Sequence, residues 1–464
     1  MRFRKIAKKE KLERIHLSDH FTYNRLLRFV LPSVVMMLFI SVYGIVDGFF
    51  VSNFAGALPF AALNLIFPLI MILGSVGFML GTGGNAVVSK ALGEGDKERA
   101  NEIFSMLIYA TLLLGVLLAV IGIAIARPVA EWFARSEKNI TAEEKGRLIE
   151  YCVVYARIIL AALPAFMLQN AFQGFFVTAE KARLGLFVTI AAGLGNVVFD
   201  ALFVGVFKWG IVGAALATSL NQIVGGVLPL IYFARKNDSL LRLGKTRFNG
   251  KVFIGVCANG MSELMTNISL SVVTIFYNAQ LMRYIGIDGV SAYGIMMYIG
   301  FIFVSVYIGY SVGSAPIIGF HYGAKNKEEL KNVYGKSILL ICLLGVIMTA
   351  VAVAFSGVLS SVFVRKNTSL WRLTTHGLRI YSLSFLLCGF NIFGSSFFTA
   401  LSNGALSLLI SFFRTFLCQT VAVFIMPLMW GVNGIWSAVV AAEAVALVLT
   451  LILWITQRKR YGYA

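Results

Sequence analysis

Residues 60–88 read FAALNLIFPLIMILGSVGFMLGTGGNAVV, a run of 29 residues without a charged side chain. At 1.5 Å per helical residue, such a run is longer than the ~30 Å hydrocarbon layer of a bilayer. Comparable runs recur along the whole 464-residue chain, which is 59% hydrophobic and only 13% charged. A soluble domain has about 25% charged residues. The sequence therefore predicts an all-α polytopic membrane protein and excludes a soluble enzyme, a disordered chain and a secreted disulfide scaffold.

The apolar runs divide the chain into twelve predicted transmembrane spans. Several are longer than the bilayer requires, which predicts helices that tilt or extend beyond it. The spans are 27–51, 60–88, 102–126, 151–178, 184–206, 210–234, 253–280, 290–319, 333–358, 373–400, 404–428 and 431–456.

Lysine and arginine are distributed unevenly between the two sides of these spans. The two termini and the loops on their side carry 27 of the 40 basic residues, the opposite loops carry 11, and two lie within spans. By the positive-inside rule, both termini are predicted to be cytoplasmic. The basic segment 1–26 has eight basic and three acidic residues, so it contributes +5 to the net charge of +19. We expect this segment to face anionic lipid, and we expect no nucleic-acid partner.

An internal repeat divides the spans into two sets of six. A shift of 230 residues places Gly93 on Gly323, and a shift of 221 places WGIVG (209–213) on WGVNG (430–434). Repeats of this kind place the transport cavity at their interface. The sequence therefore predicts two pseudo-symmetric six-helix lobes around a central cleft. The predicted parts are a basic cytoplasmic segment 1–26, an N-lobe 27–234, a basic cytoplasmic linker 235–252, a C-lobe 253–456 and a cytoplasmic tail 457–464.

Two acidic residues, Asp47 and Asp200, lie toward the outer ends of spans 1 and 5. An ionised carboxylate inside the bilayer costs at least a few kcal/mol, so it needs a cation, a proton or a cavity. Asn196 shares a helix face with Asp200, and Thr218 lies at a similar depth in span 6. This oxygen-rich set predicts a site for a monovalent cation, or a carboxylate pair that traps a proton. Interhelical hydrogen bonding is the alternative for Asn196 and Thr218.

Two further acids, Glu263 and Glu443, also lie within spans. Glu263 is near mid-depth in span 7, where we expect a protonation site or a partner for a cation. The alternative is a structural acid neutralised by Arg157 or Arg414, and for Glu443 a structural role is the favoured interpretation. The repeat places no carboxylate opposite the two aspartates of the first half. The coupling site is therefore predicted in the first half only.

At these positions the sequence resembles the multidrug and toxic compound extrusion (MATE) family. The resemblance extends over essentially the whole chain. The motifs that carry it most clearly are Leu31-Pro32, YGIVDGFFVSNFAG (43–56), the run from residue 60 to residue 100, and Asn196-x-x-x-Asp200 followed by WGIVGAA (209–215).

The resemblance implies a secondary active multidrug exporter that exchanges Na⁺ or H⁺ for cationic amphipathic compounds by alternating access. It implies no cofactor other than the coupling ion, and a location in a bacterial plasma membrane. We expect a monomer. One branch of the family has an acid in the tenth helix, and 373–400 contains none, which argues against cation binding there. The residues that the resemblance assigns to cation binding, including a possible Na⁺ ion, are Asp47, Asn196, Asp200 and Thr218. The candidates for the substrate cleft or a second protonation site are Glu263, Tyr43 and Asn170.

The main alternative is a lipid-linked saccharide flippase of the same broad superfamily, which would be expected to line its cleft with several arginines. A major-facilitator carrier would be expected to have a G-x-x-x-D-R-x-G-type loop after span 2, where this chain reads GEGDKERAN (93–101). A primary pump would need a glycine-rich phosphate-binding motif with a lysine, which the sequence lacks. The four histidines are scattered, which disfavours a membrane-embedded enzyme. A channel remains a further alternative.

Overall fold

The structure is a computed structural model that describes residues 15–135 and 141–464. Within these residues the chain is helical, with short turns and no β-strand. Most of the predicted basic segment, residues 1–14, lies outside the described residues. The α-helices are α1 Tyr23–Phe50, α2 Ala57–Gly93, α3 Lys97–Ala134, α4 Ala142–Ala161, α5 Leu163–Thr178, α6 Ala182–Asp200, α7 Gly210–Ala234, α8 Gly250–Tyr284, α9 Ile287–Gly323, α10 Lys327–Ala354, α11 Ser356–Phe363, α12 Ser369–Tyr381, α13 Phe385–Ala400, α14 Gly404–Phe412 and α15 Cys418–Tyr461.

These helices make twelve crossings. In the described chain, nine helical stretches are long and apolar enough to span a bilayer, and α4 with α5, which meet at a bend of 55°, form a tenth. Helix α8, more polar but 35 residues long, is another crossing. One of the nine stretches, Gly404–Tyr461, is 58 residues long and has a non-helical residue at Gly431, so it contains two. The predicted all-α membrane fold is confirmed. Among the predicted starts of the spans, the fourth has the largest error, nine residues. The sequence predicts a start at 151, whereas the helix begins at Ala142.

The shared WG motif produces the same backbone break in both halves. Gly210 and Gly431, which the 221-residue shift superposes, both have φ 55°. A residue with a side chain rarely adopts this left-handed conformation, so glycine is required for the chain to turn between two helices here. The repeat seen in the sequence is therefore a repeat of backbone geometry. The exact limits of the lobes and of the linker stay predictions.

Helices α2 and α9 cross through a reciprocal glycine contact. A Cβ atom on Gly93 would overlap the carbonyl oxygen of Phe320, and a Cβ atom on Gly323 would overlap the carbonyl oxygen of Lys90. The second contact is the first one shifted by 230 residues on each side. The two halves are thus related by pseudo-twofold symmetry at this crossing, where backbone meets backbone directly.

The seam between the halves is formed by α1 and α2 from the first half and by α8 and α9 from the second. Its glycine-mediated approaches include Gly83 against Gly260 and Gly309 against Val34. They lie in the parts of these helices nearest the two termini, which we call the termini end of the bundle. Away from the seam, each half has its own aromatic core, built around Phe172 in the first and Phe397 in the second. The lobes are therefore closed against each other at the termini end.

Candidate cation site

Two helices of the first half change their winding next to a carboxylate. Helix α1 continues beyond Phe50 as the π-turn Val51–Ala55, and α6 continues beyond Asp200 as the π-turn Ala201–Val206. The two π-turns pack against each other. Single π-turns are frequent at functional sites because the extra residue re-aims the neighbouring side chains. This packing brings the end of α1, with Asp47, beside the end of α6, with Asp200.

The four residues predicted to bind a cation lie on three helices that pack together, α1, α6 and α7. The carboxyl group of Asp47 faces both the carboxyl group of Asp200 and the hydroxyl group of Thr218. Asn196 lies one turn before Asp200 on α6. Asp200 is 0% exposed and Asn196 is 1% exposed. The structure therefore brings the two predicted acids together with Thr218 in the interior of the first half, and buries Asn196 one helical turn away.

Five side-chain polar atoms of this set lack a hydrogen-bond partner in the described part of the chain. Asp47 Oδ1, both carboxyl oxygens of Asp200, Thr218 Oγ1 and Asn196 Nδ2 are all buried without a hydrogen bond of good geometry. A buried polar group without a partner costs about 1–3 kcal/mol, and a charged one costs more. Three oxygen-bearing side chains that converge in this way fit a hard cation such as Na⁺, and they equally fit a proton shared by the two carboxyl groups.

Tyr155, which the sequence analysis did not select, also belongs to this site. It lies on α4, is 4% exposed, and its hydroxyl group is close to Thr218 and to both carboxylates. In the sequence it is one of several aromatic residues on an amphipathic helix, so no local signal distinguishes it from a packing residue. Tyr298 of α9 lies near Asp47. Through Tyr298, the second half contributes a side chain to the environment of the site.

The predicted cleft candidates occupy different positions. Tyr43 lies one turn before Asp47 on α1 and contacts Asn221 of α7, so it adjoins the cation site. Asn170 lies on α5, is 7% exposed, and its Oδ1 accepts a hydrogen bond of 3.5 Å from Gln173 Nε2. None of the contacts given for the described residues joins Asn170 to the carboxylates.

The acids of the second half have a different environment. Arg414 Nε donates to both carboxyl oxygens of Glu443, at 2.8 and 3.0 Å. Asn391 Nδ2 donates to Glu443 Oε2 at 2.8 Å. Glu263, half-buried on α8, lies within the field of the same arginine, whereas Arg157 is exposed. Arg414 thus pairs with Glu443, and no ion pair among the described residues joins Arg157 to either acid.

Comparison with known proteins agrees with this architecture. The profile of the MatE family matches residues 32–202 and 264–425, one stretch in each half of the chain. The chain belongs to the MatE family. Members of this family are membrane transporters, so the protein is a multi-pass membrane transporter and not an enzyme. The resemblance that the sequence motifs indicated is confirmed.

Relatives of this MatE protein include two staphylococcal multidrug export proteins named MepA. The protein of Staphylococcus saprophyticus is 22% identical over 435 residues, which cover 93% of this chain and 94% of the relative. The protein of Staphylococcus haemolyticus is 22% identical over 447 residues, covering 96% of each chain.

Solved structures show the same fold over nearly the whole length. An outward-facing multidrug resistance MATE family transporter superposes with a TM-score of 0.85 at 22% identity, covering 95% of this chain and 96% of that one. A MATE structure described as bent superposes with a TM-score of 0.83 at 22% identity, covering 94% and 95%. At this identity the comparison establishes the fold of the protein.

Proposed function

We propose that this MatE protein is a secondary active exporter. In this proposal it moves cationic amphipathic drug-like compounds out of a bacterial cell across the plasma membrane, in exchange for Na⁺ or H⁺ that flows inward through the site at Asp47 and Asp200. The relatives named multidrug export proteins support the substrate class. We expect the protein to act as a monomer and to need no cofactor besides the coupling ion.

The observation that carries the proposal is the convergence of two buried carboxyl groups, of which Asp47 Oδ1 and both oxygens of Asp200 have no hydrogen bond of good geometry among the described residues. Two buried like charges that face each other repel, and burial adds the cost of removing both from water. A bound Na⁺ or proton relieves that cost. Ion occupancy therefore changes the free energy of the arrangement that holds α1, α6 and α7 together, which is what a coupling site requires.

Helix α1 connects the ion to the state of the cleft. It carries Asp47 near one end, Pro32 in its interior, and a seam contact with α9 through Val34. Proline removes a helical hydrogen bond and permits bending. A ligand can shift two conformations only by its differential affinity for them. In our proposal the ion binds tightly to the α1 conformation that holds substrate weakly, and substrate is then released outward.

The charge distribution supports a cytoplasmic location for the termini end, following the positive-inside rule. With that orientation, the closed seam faces the cytoplasm and the carboxylates lie toward the outer side. The flippase alternative gains no support from the arginines within the spans. Only Arg157 and Arg414 lie well inside the predicted spans, and Arg414 is bound to Glu443.

The experiment that tests the proposal is transport of a fluorescent organic cation into inverted membrane vesicles. A Na⁺ gradient and a pH gradient are imposed separately, for wild type and for Asp47→Asn. We expect one gradient to drive uptake in the wild type. We expect Asp47→Asn to reduce gradient-driven uptake at least 100-fold, because a neutral amide has no negative charge with which to bind Na⁺ or H⁺.

The matched control is Asp288→Asn, which removes the same charge from an exposed position in the first turn of α9. It should transport like the wild type. Uptake that responds to neither gradient, in a well-expressed wild-type protein, would contradict antiport and favour a flippase or a channel. Normal gradient-driven uptake in Asp47→Asn would remove the carboxylate pair from the mechanism.

A further inference from the structure

A short segment before α1 crosses the termini end of the bundle. Its residues 16–21 read HLSDHF, and we call them the strap. Two of its side chains are apolar and fully buried, Leu17 at 1% and Phe21 at 0% exposure. A chain terminus with no binding role normally leaves its residues solvated. The burial of both apolar side chains shows that the strap is docked.

The strap is held at two points by the same hydrogen-bond pattern. At the first, Glu180 Oε1 accepts the backbone N–H of Leu17 and Oε2 contacts His16 Nδ1, both at 2.7 Å. At the second, Glu329 Oε1 accepts the backbone N–H of Phe21 at 2.8 Å, and Oε2 contacts His20 Nδ1 at 2.6 Å. We call each of these two attachments a clasp. Each clasp joins one glutamate to a histidine and to the backbone N–H of the residue that follows the histidine.

The two glutamates belong to opposite lobes. Glu180 lies in the turn between α5 and α6, in the first half. Glu329 lies in the first turn of α10, in the second half. Asn332 and Lys336 of α10 add hydrogen bonds to the carbonyl oxygen of Phe21, at 3.0 and 2.7 Å. The strap therefore bridges the lobes, with its stronger attachment on the second.

Both glutamates are held in surroundings that depend on the strap. Glu180 has φ 58°, a left-handed conformation in which glycine is favoured after a helix. The side chains of Glu180 and Glu329 are only 13% and 8% exposed. A desolvated carboxylate is stable only when its oxygens have donors, and the strap supplies two to each glutamate.

Below the strap lies the closed seam. Phe21 packs edge-to-face on the ring of His321, with ring centroids 6.3 Å apart. His321 is in the last turn of α9, next to the Phe320 carbonyl that meets Gly93 across the seam. If α1 and α2 move away from α9 at this end, then Leu17 and Phe21 cannot keep both clasps.

From these contacts we propose that the strap is a latch that stabilises the conformation closed at the termini end, and that it must release from at least one glutamate before this end opens. The proposal rests on the alternating-access function proposed above. It adds a control element that lies well away from the carboxylate site.

The test is hydrogen–deuterium exchange of the full-length protein in lipid nanodiscs, read by mass spectrometry in the seam peptides 79–93 and 250–264. We expect Glu329→Gln to speed exchange there at least threefold, because the stronger attachment is lost. Glu180→Gln should give a smaller increase in the same peptides. Exchange near the opposite ends of α1 and α8 should slow, since one end closes as the other opens.

The matched control is Glu328→Gln, which removes the same charge from the neighbouring exposed residue of α10. It should leave the seam unchanged. If Glu329→Gln folds poorly, Leu17→Ala tests the same latch with both carboxylates intact. Faster exchange confined to residues 15–22 and the α9–α10 turn would overturn the proposal, as would equal effects of Glu328→Gln. The measurement needs no drug and no gradient, so its failure is distinct from a failure of transport.

Discussion

The two lobes treat a buried carboxylate in opposite ways. In the second lobe, Glu443 has an arginine and an asparagine as direct partners, and Thr450 Oγ1 donates to Oδ1 of that asparagine at 2.8 Å. In the first lobe, Asp47 and Asp200 face each other with buried oxygens that have no partner among the described residues. A satisfied network fixes one structure, whereas an unsatisfied one changes its energy when an ion arrives. The difference predicts that one lobe is the scaffold and the other is the switch.

The largest effect is expected when Arg414, the partner of Glu443 in the second lobe, is replaced. Arg414→Ala leaves Glu443 buried without its counter-charge, which should lower the free energy of unfolding by about 3–5 kcal/mol. Thermal unfolding of the purified protein in detergent measures the loss. Arg157→Ala, at an exposed position, is the matched control and should unfold like the wild type.

A double variant sharpens the interpretation of that loss. Arg414→Met with Glu443→Leu removes both charges and should recover most of the lost stability, since apolar residues of similar volume often replace a buried ion pair without cost. Arg414→Ala could instead leave the protein stable and abolish transport. In that case the Arg414–Glu443 pair takes part in transport, and the second lobe is not only a scaffold.

The second test measures whether Na⁺ binding to the carboxylate pair of the first lobe stabilises the protein. If Na⁺ is the coupling ion, a concentration 100 times its dissociation constant should stabilise the folded protein by about 2.7 kcal/mol. The melting temperature is compared in NaCl and in choline chloride at equal ionic strength. Asp200→Asn should abolish the difference while Glu263→Gln retains it.

An H⁺-coupled protein gives a different pattern in the same assay. NaCl and choline chloride then give equal melting temperatures, and the difference between wild type and Asp200→Asn depends on pH. If neither Na⁺ nor pH separates the wild type from Asp200→Asn, the carboxylate pair is not a cation site.

The smallest expected effect concerns Tyr155. Its hydroxyl group is close to Thr218 and to both carboxylates, so Tyr155→Phe removes one polar neighbour and leaves the packing intact. One hydrogen bond contributes about 0.5–1.5 kcal/mol, which corresponds to a severalfold higher ion concentration for half-maximal transport. Tyr151→Phe, on the preceding turn of α4, is the control. Equal ion dependence in both variants would exclude Tyr155 from the site.

The sequence predicted those features that depend on long, repeated signals. Twelve apolar runs are each long enough to cross a bilayer, and the basic residues are distributed strongly enough to suggest an orientation. The pairing of Asp47 with Asp200 could be anticipated because each is an isolated charge at a similar depth. The spans and the carboxylate pair could both be predicted because placing a polar group in lipid costs much free energy, and the residue types at each position decide that cost.

Features that depend on helix rotation or on distant contacts could not be predicted. From the sequence, Arg414 is a candidate partner for Glu263, and the structure pairs it with Glu443 instead, because the rotation of the helices decides which acid it reaches. Tyr155 has no sequence signal that separates it from neighbouring aromatics. The strap resembles an ordinary polar tail, since its partners Glu180 and Glu329 lie more than 160 residues away.

The reciprocal contact of Gly93 and Gly323 has a mechanical consequence. Neither glycine presents a side chain to the opposite helix, so even a methyl group at either position would force α2 and α9 apart. Because the two contacts are copies of one another, a substitution at Gly93 and one at Gly323 should disturb equivalent atoms. The two lobes, which differ in the chemistry of their carboxylates, therefore meet here through one repeated contact that excludes side chains from both partners.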